Sequence, residues 1–214
     1  MLTNSLEVSM SFFENTRKPQ GFGGKIMVAM MNSGHSAMAE WGMKHIKIAE
    51  NSSVLDVGCG GGANIKKMLA LCPRGRVSGL DYSPVSVEKS RQVNRKAIAD
   101  GRCDVIEGSA LALPFSENSF DVVTAFETIY FWPEIEKCLG EIYRVLAPHG
   151  CFMICNESNG DTNKDDKWAE KIDGMTIYNG EQLRAFLANA GFTDIQIDKN
   201  EKGWLCVTAR KMKL

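Results

Sequence analysis

Short apolar runs alternate with amphipathic stretches along most of the chain. Val54, Leu55 and Val57 form a partly β-branched run that predicts a strand buried on both faces, and residues 63–71 follow it with helical spacing. Further strands are predicted at 76–81, 104–107, 120–126 and 151–156, with helices over 85–99 and 134–146 between them. Such alternation predicts an α/β domain in which helices cover both faces of a largely parallel sheet. Near the end, residues 180–190 read as a helix stopped by Gly191. Strands at 193–198 and 204–209 about a turn at 199–203 then predict a closing antiparallel hairpin.

Two segments stand outside this pattern, 1–50 and 158–179. The first holds Gly21-Phe22-Gly23-Gly24, a Met-rich run over 27–31, and an amphipathic stretch over 36–48 carrying Met38, Trp41, Met43 and His45. It reads either as a helical lid or as a helix packed on the sheet. The second contains a short helical candidate, Lys167 to Ile172, that either closes the opposite rim or is a solvated insertion. The expected organisation is an N-terminal helical lid over 1–50 and one compact domain over 51–214.

Composition narrows the function classes. With 214 residues, 44% of them hydrophobic, the chain can bury a core without disulfides or metals. Its 25 basic and 26 acidic residues give a net charge of −1, so no broad basic surface is expected and a nucleic-acid partner is disfavoured. No basic start precedes an apolar run and no segment has about 18 uninterrupted apolar residues, so a cytoplasmic protein without membrane insertion is expected. Seven scattered cysteines without a Cys-x-x-Cys pair suit reduced core thiols. Three scattered histidines predict no metal site.

Candidate chemistry concentrates where the first strand meets its helix. Gly58, Gly60, Gly61 and Gly62 follow Asp56, and glycines at a strand-to-helix corner let the backbone approach a ligand while helix N–H groups point at it. A second predicted strand ends in Asp81, roughly 20 residues on, where a carboxylate can bind both ribose hydroxyls and repel a 2′-phosphate. On this loop alone an NAD-dependent oxidoreductase remains a competitor.

The order of segments beyond the loop resembles the class I S-adenosylmethionine-dependent methyltransferases, in the branch that methylates small molecules. The resemblance covers about half the chain. It rests on 54–62, then Leu80-Asp81-Tyr82-Ser83-Pro84, then Val105-Ile106-Glu107-Gly108-Ser109-Ala110, and then Leu113-Pro114-Phe115 leading into Phe120-Asp121-Val122-Val123. Glu141-Ile142-Tyr143-Arg144-Val145-Leu146 and an apolar strand close the set. The resemblance implies a Rossmann-like fold with a seven-stranded mixed sheet of order 3-2-1-4-5-7-6. It also implies S-adenosylmethionine as methyl donor, S-adenosylhomocysteine as product and a small-molecule acceptor. A homodimer through the lid helices is an open arrangement.

The same resemblance implies site residues. Asp56 and the loop Gly58, Cys59, Gly60 and Gly62 hold the amino-acid end of the donor, Asp81 the ribose, and Tyr82 flanks the adenine. Ser109 and Ala110 reach the adenine edge, although many relatives carry an Asp where this chain has Ser109. Phe126 and Glu127 line the methionine side, while Phe131 and Trp132 either wall the acceptor or pack the next helix. Because the sulfonium is already activated, alignment and exclusion of water matter more than covalent help. Candidates for a proton-handling group are His35, Glu127, Tyr130 and Tyr178, with Glu127 favoured for binding over proton removal. A protein that binds the nucleoside without catalysis is a third expectation, since fold analogy does not settle activity.

Overall fold

A computed structural model of the chain describes residues 36–161, 172 and 174–212. Seven strands form one sheet of order β3-β2-β1-β4-β5-β7-β6, as the resemblance implies. β1 (Ser53–Val57), β2 (Arg76–Asp81), β3 (Cys103–Glu107), β4 (Phe120–Phe126) and β5 (Leu146–Asn156) pair in parallel. β7 (Leu205–Lys211) runs antiparallel to β5 and to the edge strand β6 (Phe192–Lys199). The strand order therefore reverses beside β1, and the crevice outside its carboxyl end is where open α/β sheets take ligands.

Alternation along the strands divides the core. Val54 and Val122 pack with Ile65 and Met68 of α2 (Ala63–Leu71) and with Val87 of α3 (Pro84–Val93). Leu55, Val57 and Val123 instead pack with Leu139 and Ile142 of α5 (Ile135–Val145) and Leu183 of α6 (Gly180–Asn189). Helix α5 buries Ile135, Cys138, Leu139, Ile142 and Val145, the i, i+3, i+4, i+7 stripe of an amphipathic helix. α6 opens with a capping box in which Asn179 accepts from the Gln182 N–H and Gln182 returns the bond.

Three expected elements differ from the sequence reading. The helix over 85–99 is broken at Asn94 into α3 and α4 (Arg95–Ala99), because the buried Asn94 amide donates to the carbonyls of Gly62 and Ser90 at 3.0 Å each. The stretch over 36–48 yields α1 (Ser36–Gly42), which continues only as a 3-10 turn over Met43–His45. At Gly42 the chain presses on β5 so closely that a Cβ would lie 2.5 Å from Cys155 Sγ. Strand β5 starts five residues before the predicted position. Its register on β4 jumps between the Phe120–Leu146 and Val122–Cys151 pairs, and His149 lies in that bulge at φ +64°. The Gly-rich segment, the Met-rich run, His35 and most of the 167–172 helical candidate lie outside the described residues.

Candidate functional site

The loop after β1 is bolted to the neighbouring strand by its backbone. Gly58 and Cys59 both donate their N–H groups to Leu80 O, at 2.7 and 3.0 Å. Gly58 sits at φ +77°, and a Cβ there would lie 2.0 Å from Thr128 Oγ1, so both conformation and space exclude a side chain. Gly60 has φ +51° with nothing within 4 Å of a Cβ, so the loop turns an open backbone face outward there. Asp81 at the end of β2 accepts the Gly60 N–H through Oδ2 at 2.8 Å and the Ser83 N–H through Oδ1 at 2.9 Å. Burial raises its carboxyl pKa, and the two N–H bonds oppose that rise.

These residues border a cleft of about 240 Å³ between the ends of β1, β2 and β4. Gly58, Asp81 and Tyr82 form one side, Gly108, Ser109 and Ala110 the second, and Thr128, Phe131, Trp132 and Pro133 the third. Val57 and Leu80 also line it. Next to the loop, Asp56 is 1% exposed. Its Oδ1 accepts from Thr124 Oγ1 at 2.8 Å, whereas Oδ2 has no hydrogen-bond partner. Burial pushes this carboxyl up to about 7, the Thr124 bond opposes the shift, and the nearby Asp81 charge adds to it. The Oδ2 oxygen is buried, and Asp56 is not among the residues that line the cleft.

A family model for a methyltransferase domain matches residues 55–154, from β1 to β5. Residues 55–154 form a methyltransferase domain, carried on a sheet of the class I order. The chain is 38% identical over 101 residues to cycloartenol-C-24-methyltransferase 1 of Oryza sativa subsp. japonica, covering 47% of this chain and 29% of that protein. It is 38% identical over 119 residues to demethylmenaquinone methyltransferase of Lactiplantibacillus plantarum, covering 55% and 49%. The chain thus spans less than half the length of these curated relatives. The crystal structure of a SAM dependent methyltransferase from Aquifex aeolicus matches it with a TM-score of 0.72 at 19% identity, over 87% of this chain and 97% of that one.

The methyltransferase domain brings together Gly58, Asp81, Tyr82, Ser109 and Ala110 at the cleft, with Asp56 and Gly60 at its loop. Gly62 ends the loop at the start of α2. Cys59 is buried, its Sγ 3.9 Å from Ser90 Oγ, and desolvation raises its thiol pKa, so it packs the loop. Phe126 faces away from the cleft, sharing a cluster with Met38, Met153 and Cys155 under α1. Strand alternation accounts for this, since Phe126 lies on the same face of β4 as Val122 and Thr124.

Glu127 and Tyr130 meet. Glu127, at φ +54°, accepts the Tyr130 hydroxyl at 3.1 Å and the Glu157 N–H, which ties the tip of β4 to that of β5. Desolvation raises the Tyr130 pKa and the Glu127 charge raises it further, while the hydroxyl donates to Glu127. Tyr178 does not line the cleft and packs edge-on against Phe186, with ring centroids 5.5 Å apart. His45 Nδ1 lies 3.3 Å from Asp198 Oδ2. Among the described residues no group of His, Cys, Asp and Glu is arranged to hold a metal, and no helix is long and apolar enough to cross a membrane.

Thr128 and Pro133 also line the cleft, as do Val57, Leu80 and Gly108, which stand in the sequence motifs without an assigned site role. Thr128 had one available signal, a small polar residue just past a buried strand. Its pairing with Gly58, 70 positions earlier, is purely tertiary.

Proposed function

We propose that this protein transfers a methyl group from S-adenosylmethionine to a small, largely apolar acceptor. The observation that carries the reading is the convergence of the glycine loop, Asp81-Tyr82 and Ser109-Ala110 on one cleft. In that cleft Asp81 binds the ribose hydroxyls and Tyr82 and Ala110 border the adenine. The open backbone of Gly60 holds the amino-acid end, with the buried Asp56 carboxylate at the end of β1 favouring its positive charge. When bound, S-adenosylmethionine supplies an electrophilic methyl group. Phe131, Trp132 and Pro133 then form the apolar wall that excludes water and aligns the acceptor. Glu127 serves in binding rather than in proton removal, since its carboxylate is engaged by the Tyr130 hydroxyl and the Glu157 N–H.

An apolar acceptor is favoured by that wall and by the names of the matched relatives, a cycloartenol and a demethylmenaquinone methyltransferase. The lid reading of the N-terminal segment is supported by Lys67 of α2, which donates to the carbonyl of Ser36 at 3.1 Å and to its hydroxyl at 2.7 Å. This contact anchors the start of α1 to the helix that follows the glycine loop.

Calorimetric titration with S-adenosylmethionine, S-adenosylhomocysteine and NADH tests the reading. Saturable binding of the first two without NADH supports it. Binding of NADH alone overturns it in favour of a nicotinamide enzyme. Donor binding without methyl transfer to any member of a panel of apolar acceptors would move the protein to the non-catalytic class.

A further inference from the structure

The segment that links β3 to β4 is held at two ends. At the cleft end Gly108 donates its N–H to Asp81 O at 3.0 Å, and Ser109 Oγ accepts the Leu111 N–H at 3.2 Å. At the far end two side chains of α5 take over. Glu141 Oε2 accepts the Leu113 N–H at 2.8 Å, while Arg144 donates to Leu113 O at 2.9 Å and to Phe115 O at 2.7 Å. The two side chains are themselves joined by a two-pronged ion pair, with Nε to Oε1 at 2.7 Å and Nη2 to Oε2 at 2.8 Å. Pro114 between them has no N–H to satisfy, so Glu141 and Arg144 meet three backbone groups of this turn. The Arg144 guanidinium beside Glu141 holds its carboxyl below the usual range, against the opposing effect of burial.

We propose that Glu141 and Arg144 are positioning residues for nucleoside binding: from α5 they fix the 108–115 segment so that Ser109 and Ala110 stand as one wall of the cleft. This inference rests on the reading of the cleft as the donor site. Neither residue lines the cleft, so the action is indirect. Only an arginine supplies the planar fork that reaches two carbonyls and a carboxylate at once. A glutamine at 141 keeps an acceptor for the Leu113 N–H, whereas an alanine does not. The pair spans one helical turn, and the turn it grips starts two residues beyond Leu111. Freeing that turn lets the wall move before a ligand arrives, so ligand binding must then bear the ordering entropy.

The test is calorimetric affinity for S-adenosylhomocysteine together with amide hydrogen exchange of the 109–115 segment, in the wild type, Arg144→Ala, Glu141→Ala and Glu141→Gln. Expected are loss of protection at Leu111 and Leu113 in both alanine variants and affinity about tenfold weaker, with Glu141→Gln recovering most of the affinity. Arg144→Lys, which keeps the charge and loses the fork, serves if Arg144→Ala does not fold and is expected to show the same direction. Folded variants that bind within twofold of the wild type would overturn the inference and leave the donor site standing. A wild type that binds no S-adenosylhomocysteine would sink the donor-site reading and this inference with it.

Discussion

Asp81 Oδ2 accepts the Gly60 N–H at 2.8 Å, so the acid that ends the second strand also closes the glycine loop of the first. The proposed ribose contact and the loop geometry therefore share one side chain. Asp81→Ala removes both acceptors, whereas Asp81→Asn keeps one of them, for the Gly60 or the Ser83 N–H, and loses the charge. Asp81→Asn is expected to weaken S-adenosylhomocysteine binding by about 1.5–3 kcal/mol with a much smaller change in stability. Parallel calorimetry and thermal melts check this.

Gly58 and Gly60 have distinct roles that alanine substitution should expose. A Cβ on Gly58 meets Thr128 Oγ1 at 2.0 Å, so Gly58→Ala must displace the tip of β4 and is expected to be markedly destabilising. Gly60→Ala meets no atom within 4 Å and pays only the left-handed backbone cost, about 1–2 kcal/mol. On the proposed function its larger effect falls on donor binding. Denaturant unfolding and donor titration of the two variants are expected to rank them in opposite orders.

Burial raises the Asp56 carboxyl from its ordinary value to about 7, and the pH dependence follows from that direction. Between about pH 4 and 7 the folded protein holds a proton that the unfolded chain has released, so stability falls as pH rises through this window and levels off above it. The loss is on the order of 4 kcal/mol. In Asp56→Asn the same stretch of the pH–stability curve should be flatter. A ligand ammonium near Asp56 favours the carboxylate, so S-adenosylhomocysteine affinity is expected to be about tenfold weaker at pH 6 than at pH 8 in the wild type. An equal pH dependence in Asp56→Asn would remove Asp56 from the site.

Lys211 is 6% exposed at the end of β7. Its ammonium donates to Asn118 Oδ1 at 2.8 Å and to the carbonyls of Tyr143 and Leu146 at 2.7 and 2.8 Å, and lies 4.8 Å from the centre of the Tyr143 ring. The last strand thereby caps the carboxyl end of α5, the helix that carries Glu141 and Arg144. Lys211→Met leaves these acceptors unpaired and is expected to cost about 2–4 kcal/mol of stability, read by urea unfolding. Binding to the molecules that remain folded should be unchanged.

Elements with a strong period were legible in the sequence: the helix at Ala63–Leu71 and the strands at Arg76–Asp81 and Phe120–Phe126 lie where their apolar spacing puts them. The wider order of the sheet came from resemblance, which periodicity alone cannot supply. What escaped were features made by residues far apart in sequence. Asn94 breaks a helix because Gly62, 32 positions earlier, offers it a carbonyl. Thr128 enters the cleft because Gly58 leaves room for it, and Glu141 grips a turn 28 residues upstream. Phe126 packs beneath α1, on the face that counting from Thr124 along β4 assigns it.

The most direct measurement is a crystal structure of the protein with S-adenosylhomocysteine. Expected are the ribose hydroxyls within hydrogen-bond distance of Asp81, the adenine between Tyr82 and Ala110, and the amino group near Asp56. A nucleoside bound elsewhere, or bound in the cleft with its ribose turned away from Asp81, would contradict the proposed donor site.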